Sequence, residues 1–104
     1  MTQNKYNVIV SEKAARMLVE YAVSLADVSP KAAEKLVDSF EKAAESLKSM
    51  PLRCARLRGN YIPQNKYRFI AFESEYIIIF QIIDDTVYVD YVVNTRQDYG
   101  WLLQ

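Results

Sequence analysis

Between Lys5 and Val93 the hydrophobic repeat changes twice: from every second residue to every third or fourth, and back again. That order restricts the fold more than any single motif does. In residues 5–10, Tyr6, Val8 and Val10 alternate with Asn7 and Ile9, the period-two pattern of a strand. Ser11 then offers a helix N-cap, and Glu12 sits where the helix dipole favours an acid. Ala14, Leu18, Tyr21, Ala22 and Leu25 recur at helical spacing and form one apolar face. Ser29-Pro30 restarts the pattern, because serine caps and a proline in the first helical position loses no hydrogen bond. Ala33, Leu36, Val37, Phe40, Ala44 and Leu47 make a second apolar stripe, which ends near Ser49-Met50-Pro51. Two helices joined by so few residues form an antiparallel hairpin.

Residues 51–65 read as a connector containing Gly59-Asn60 and Pro63, and three strands follow. Lys66–Glu73 alternates Tyr67, Phe69 and Ala71 against Arg68, Ile70 and Phe72. Tyr76–Ile83 is apolar almost throughout, as a central strand should be. Asp84-Asp85 makes a turn, and Thr86–Val93 alternates Val87, Val89, Tyr91 and Val93 against Tyr88, Asp90 and Val92. The expectation is an α+β domain of two layers: an N-terminal strand, a helix hairpin, a three-stranded antiparallel meander (β-α-α-β-β-β), and a short C-terminal tail or helix.

Each late strand has one fully apolar phase: Tyr67/Phe69/Ala71, Tyr76/Ile78/Phe80/Ile82 and Val87/Val89/Tyr91/Val93. These phases are expected beneath the helices. The other phases then form an open face on which Arg68, Gln81, Tyr88 and Asp90 stand among Ile70, Phe72, Ile77, Ile79 and Val92. Two helices cover only one side of a sheet, and a mixed apolar and polar face of this kind is a binding surface unless something covers it. Trp101-Leu102-Leu103 is the segment available to fold back over part of it.

At 104 residues the chain is expected to form one domain. No stretch has the 18 or so apolar residues a membrane span needs, and the N-terminus lacks a signal-peptide pattern, so the expectation is a cytoplasmic protein without membrane contact. Cys54 is the sole cysteine and there is no histidine to activate it, so an incidental thiol in a reducing compartment is expected. Net charge is zero but uneven: Arg53, Arg56, Arg58, Lys66 and Arg68 fall in residues 51–68, which hold no acid. Such a band reads either as a solvated loop or as a docking surface for nucleic acid or an acidic partner segment.

In this order, the elements resemble the RelE/ParE superfamily of bacterial toxins over nearly the whole chain. The resemblance rests on the element order, on Lys66-Tyr67-Arg68, on Tyr76–Phe80 with Asp84-Asp85 after it, and on Val92–Tyr99, with Arg96-Gln97-Asp98-Tyr99, before a Leu-Leu ending. It implies a toxin of a type II toxin–antitoxin pair, held by a cognate antitoxin in a hetero-oligomer, without metal or cofactor. RelE-like members cleave messenger RNA on the ribosome; ParE-like members block DNA gyrase and catalyse nothing themselves.

For a ribonuclease, the resemblance would put phosphate on Arg68, transition-state charge on Arg96, and a proton or a stacked base on Tyr99. RelE-like ribonucleases carry an arginine where Ile77 stands. Loss of one preorganised donor commonly costs on the order of a hundredfold in rate. The apolar central strand and the Arg-Gln-Asp-aromatic ending look closer to ParE-like members, which act by binding, and the near-neutral charge argues against tight docking to ribosomal RNA. The binding residues expected are then Arg53, Arg56, Arg58, Lys66, Arg68, Ile77, Gln81, Tyr88, Asp90, Arg96 and Trp101. The plain alternatives are a solvent-facing Arg68 or an Arg68–Asp90 pair, an Arg96–Asp98 salt bridge, and packing roles for Tyr99 and Trp101. An inactive relative serving as a protein-binding domain is the third reading.

Overall fold

The computed structural model describes residues 5–59 and 62–97. Strand β1 (Asn7–Val10) leads into helices α1 (Glu12–Val28) and α2 (Pro30–Ser46). A 3-10 turn at Pro51–Arg53 follows, then β2 (Arg68–Phe72), β3 (Tyr76–Ile83) and β4 (Thr86–Asn94). The β-α-α-β-β-β order expected from the sequence is the one observed.

Both helix starts follow from their caps. Ser11 Oγ accepts from Ala14 N–H at 3.0 Å. Ser29 serves two helices: its N–H donates to Leu25 O, closing α1, and its Oγ accepts from Ala32 N–H at 3.2 Å, opening α2. One residue therefore joins the helices, and they pack side by side. Their apolar stripes (Ala14 and Leu18, then Leu36, Phe40 and Ala44) bury against Ile78, Phe80, Val87, Val89 and Val92 of the sheet. Edge-to-face aromatic pairs tie the layers together: Phe40 with Phe72, ring centroids 5.8 Å apart, and Tyr21 with Tyr76 at 5.3 Å.

The sheet order is β1-β4-β3-β2, with β1 parallel to β4 and the other pairs antiparallel. β1 pairs only with the first half of β4, ending at Val10 opposite Val89. From there α1 takes over the free edge: Ser11 Oγ donates to Asp90 O, and Asn94 N–H donates to the Tyr21 hydroxyl at 3.1 Å. The far edge is also covered. Leu57 N–H donates to Tyr67 O at 2.8 Å and Phe69 N–H to Ala55 O at 3.1 Å, so residues 55–57 run alongside the start of β2. Both devices hide backbone groups that an open edge would offer to other chains.

Two expectations about the faces are corrected. β2 is turned over: Ile70 and Phe72 point to the helices, whereas Tyr67 and Phe69 pack on the other side. The register sets this, since Phe72 lies opposite Tyr76 across the three-residue loop 73–75, and directly paired residues share a face. β4 changes phase midway. Phe80 pairs with Val89 but Ile79 pairs with Tyr91, so Asp90 is an extra residue, a β-bulge. Val87 and Val89 face the helices as expected; beyond the bulge Tyr91 and Val93 face away and Val92 faces in.

The second face is therefore not bare. Leu57, Tyr67, Ile77, Ile79 and Val93 form a second buried cluster there, with Ile62, Phe69, Tyr91 and Met17 packed on it. The roof is the connector itself, through Leu57 and Ile62. The connector was not expected there; Trp101-Leu102-Leu103, the segment the sequence offered to cover part of this side, lies outside the described residues.

Candidate binding surface

What the second face leaves accessible is a polar and aromatic strip beside that cluster. Gln81 and Tyr88 are directly opposed on β3 and β4, and both are partly exposed, as is Asp90. The bulge re-aims Asp90 so that Gln81 Nε2 donates to its Oδ2 at 2.5 Å. Beside it, the rings of Tyr67 and Tyr91 meet edge to face at 6.2 Å, and Lys13 Nζ sits 5.0 Å from the Tyr91 ring centroid. Burial pushes the Tyr67 phenol above its ordinary pKa, with the Asp90 carboxylate adding to it. Burial likewise raises Tyr91, assisted by Tyr67 and Asp90 and opposed by Lys13. Both phenols thus stay protonated at neutral pH.

The placement of Gln81, Tyr88 and Asp90 follows the sequence expectation; that of Ile77 and Arg68 does not. Ile77 is only 4% exposed, under the connector, and has no surface to offer a partner. Arg68 lies opposite Phe80, a residue with no exposure on the helix-facing side. Its guanidinium donates through one nitrogen to Cys54 O at 2.7 Å and Leu52 O at 3.3 Å, carbonyls of the turn after α2. Arg68 is thus a strut for the connector, joined neither to Asp90 nor to the polar strip.

The other connector cations divide similarly. Arg53 turns back on the end of α2, donating to Ser46 Oγ and to the Ser49 and Met50 carbonyls. Arg56 donates to Asn65 Oδ1 at 2.6 Å. Lys66 Nζ lies 5.2 Å from the Tyr67 ring centroid. Among the described residues Arg58 has no hydrogen-bond or ion-pair partner. Arg56 and Arg58, with Leu57, Gly59, Ile62, Gln64 and Asn65, line a cleft of about 310 Å³.

Arg96 stands at the other end of the sheet. It pairs with Glu75 at 2.5 Å, in the loop before β3, and its N–H donates to Asn94 Oδ1. Asp98, the partner suggested by the sequence, lies outside the described residues, as do Tyr99 and Trp101. Arg68 and the Arg96–Glu75 pair flank opposite ends of the run Tyr76–Phe80, about 13 Å apart at the rise of a strand. The cations that a phosphate-cleaving site would need to converge are therefore separated and individually engaged.

Lys13 and Tyr91 are the surface residues that sequence reasoning missed, and Tyr67 is the buried ring beneath them, 4% exposed. Their only signal was the aromatic character of two positions in phases already assigned to the core. Among the described residues no group of histidine, cysteine, aspartate or glutamate side chains is arranged to hold a metal ion, and no helix is long and apolar enough to cross a membrane.

The fold has a close counterpart. A solved structure of the chromosomal ParDE toxin–antitoxin system from P. aeruginosa contains a chain similar to this one, with a TM-score of 0.72 at 15% sequence identity, spanning 88% of this chain and 97% of that one. Curated proteins provide no match. The family model for the ParE toxin of the type II toxin–antitoxin system parDE matches residues 8–99, from β1 to beyond β4. On that match, which runs through every strand and both helices, the chain belongs to the ParE toxin family of type II toxin–antitoxin systems.

Proposed function

We propose that this toxin acts by binding, with DNA gyrase as its target, and that a cognate antitoxin neutralises it in the cytoplasm by forming a hetero-oligomer. The observation that carries the reading is the separation of Arg68 from Arg96. Arg68 is engaged with backbone carbonyls on the helix-facing side, Arg96 is paired with Glu75 at the far end, and the strand between them presents buried isoleucines. A ribonuclease of the RelE kind needs positive charge gathered on one phosphate as its own charge grows. A poison that works by occupancy needs only a complementary surface.

Apolar side chains left in solvent supply part of such a surface. Ile9 is 50% and Val10 37% exposed on the edge strand, and Val19 and Val23, one turn apart on α1, are 56% and 59% exposed. The antitoxin is the partner proposed for these residues, since burying them would remove apolar area from water. The polar strip of Gln81, Tyr88, Asp90 and Tyr91 supplies the directional contacts on the other side.

Expression of the chain alone tests the reading. Growth arrest with induction of the DNA-damage response, relieved by co-expression of the antitoxin from the neighbouring reading frame, is expected. Rapid ribosome-dependent loss of messenger RNA would replace this reading with the ribonuclease one, and normal growth would mark an inactive relative.

A further inference from the structure

The connector breaks a simple rule of sheet pairing. Arg56 and Arg68 lie directly opposite one another where residues 55–57 run beside β2, and like charges in that relation repel. Arg58, two residues on, adds a third positive charge, and residues 51–68 contain no acid to offset them. Arg68 escapes by turning to the carbonyls of Leu52 and Cys54. Arg56 is held the other way, by Asn65 Oδ1. Asn65 takes a left-handed backbone with φ of 62°, a conformation asparagine tolerates better than most residues, and this turn brings its amide to the guanidinium. A local conflict that a fold keeps and braces is a mark of a functional position.

The braced guanidinium lines a real concavity. Its volume, about 310 Å³, lies at the lower end of small-molecule sites. Arg56 and Arg58 form its cationic wall, Leu57 and Ile62 its apolar lining, and the amides of Gln64 and Asn65 its neutral polar groups. Gly59 lets the lining close up: a Cβ there would come within 2.8 Å of Ile62 Cδ1. Among the described residues no carboxylate lines the cleft.

We propose that this cleft binds an organic phosphate monoester, with the phosphate on Arg56 and Arg58 and the organic part against Leu57, Ile62 and Gln64. Charge selects phosphate over carboxylate. Two guanidinium groups match a phosphomonoester, which carries roughly −1.5 to −2 at pH 7, better than a singly charged carboxylate. Planar forks also suit bidentate contact with phosphate oxygens. Size selects an organic ester over the bare ion, because inorganic phosphate would leave most of the space and its apolar lining unused.

Titration of the full-length chain, followed by backbone amide NMR at constant ionic strength, tests the site with three probes: adenosine 5′-monophosphate, inorganic phosphate and acetate. The nucleotide is expected to give saturable shifts centred on Arg58, Gly59 and Asn65. Phosphate should bind more weakly at the same amides, and acetate should leave them unmoved. Arg58→Ala should weaken nucleotide binding by about tenfold or more, the scale of one charge-assisted contact. Arg56→Gln should do the same, and Lys31→Ala on the distant α2 should change nothing. Equal responses to acetate and nucleotide, shifts away from the cleft, or unchanged affinity in a folded Arg58→Ala variant would overturn the proposal. The titration reads binding by the chain alone, so its outcome is independent of whether gyrase is the target.

Discussion

Arg68 illustrates how one side chain can carry a motif yet serve the framework. Its guanidinium satisfies the Leu52 and Cys54 carbonyls and holds the connector against β2. Arg68→Ala is expected to lower stability by about 1–3 kcal/mol, the range for leaving such groups unpaired, as read from urea unfolding. At temperatures where the variant is folded it should still arrest growth; a folded, non-toxic variant would restore a catalytic role for Arg68. Tyr67 and Tyr91 make a different residue-scale prediction. Their folded pKa values are raised by burial, so in the unfolded chain they lose protons first, near pH 10. The stability they confer is complete below that pH and falls as pH rises toward their folded values, because there the native state holds more protons than the unfolded one. Tyr67→Phe should flatten the alkaline limb of a stability–pH curve, and an unchanged limb would contradict the burial argument.

At the scale of elements, the aromatic bridge between layers and the bulge in β4 carry most of the consequences. Phe40 is 6% exposed and meets Phe72 edge to face, so Phe40→Ala is expected to cost about 3–5 kcal/mol, enough to unfold a small domain at physiological temperature. Asp90 is the extra residue between two otherwise regular pairings. Deleting it should leave Val89 opposite Phe80 and Tyr91 opposite Ile79, giving a folded chain whose cross-strand NOEs persist while the Gln81 contact is lost. A scrambled β3–β4 register in that deletion would show that the bulge sets the pairing rather than decorating it.

These elements also mark what the sequence made legible. The helices were legible to their caps, because Ser11, Ser29 and Pro30 act locally. The central strand was legible because it is apolar on both sides. The orientation of β2 was not: Tyr67, Phe69 and Ala71 are as apolar as Ile70 and Phe72, and Arg68, the one polar guide, stands on the helix-facing side at the strand's end, where it meets turn carbonyls. Nothing local announced the bulge, since Asp90 in a strict alternation reads as an ordinary outward residue. The candidate surface was legible in Gln81, Tyr88 and Asp90, whose phase matches Ile79 on the central strand, but not in Tyr91 or Lys13, which arrive there through the bulge and the lie of α1.

At the scale of the whole molecule, a helix pair covers one side of the sheet and a basic connector covers part of the other. Apolar residues are left in solvent along β1 and α1. An antitoxin that buries them binds the folded state, so the complex should melt well above the free toxin, by an amount that grows with antitoxin concentration. Identical melting curves would place the antitoxin contact elsewhere or remove it. The central claim is that this member of the ParE toxin family poisons by occupancy, and supercoiling by purified DNA gyrase tests it most directly. Increasing amounts of the chain should inhibit supercoiling in proportion, antitoxin should restore it, and messenger RNA in a parallel translation reaction should stay intact. Undisturbed supercoiling together with ribosome-dependent cleavage of that RNA would contradict the account.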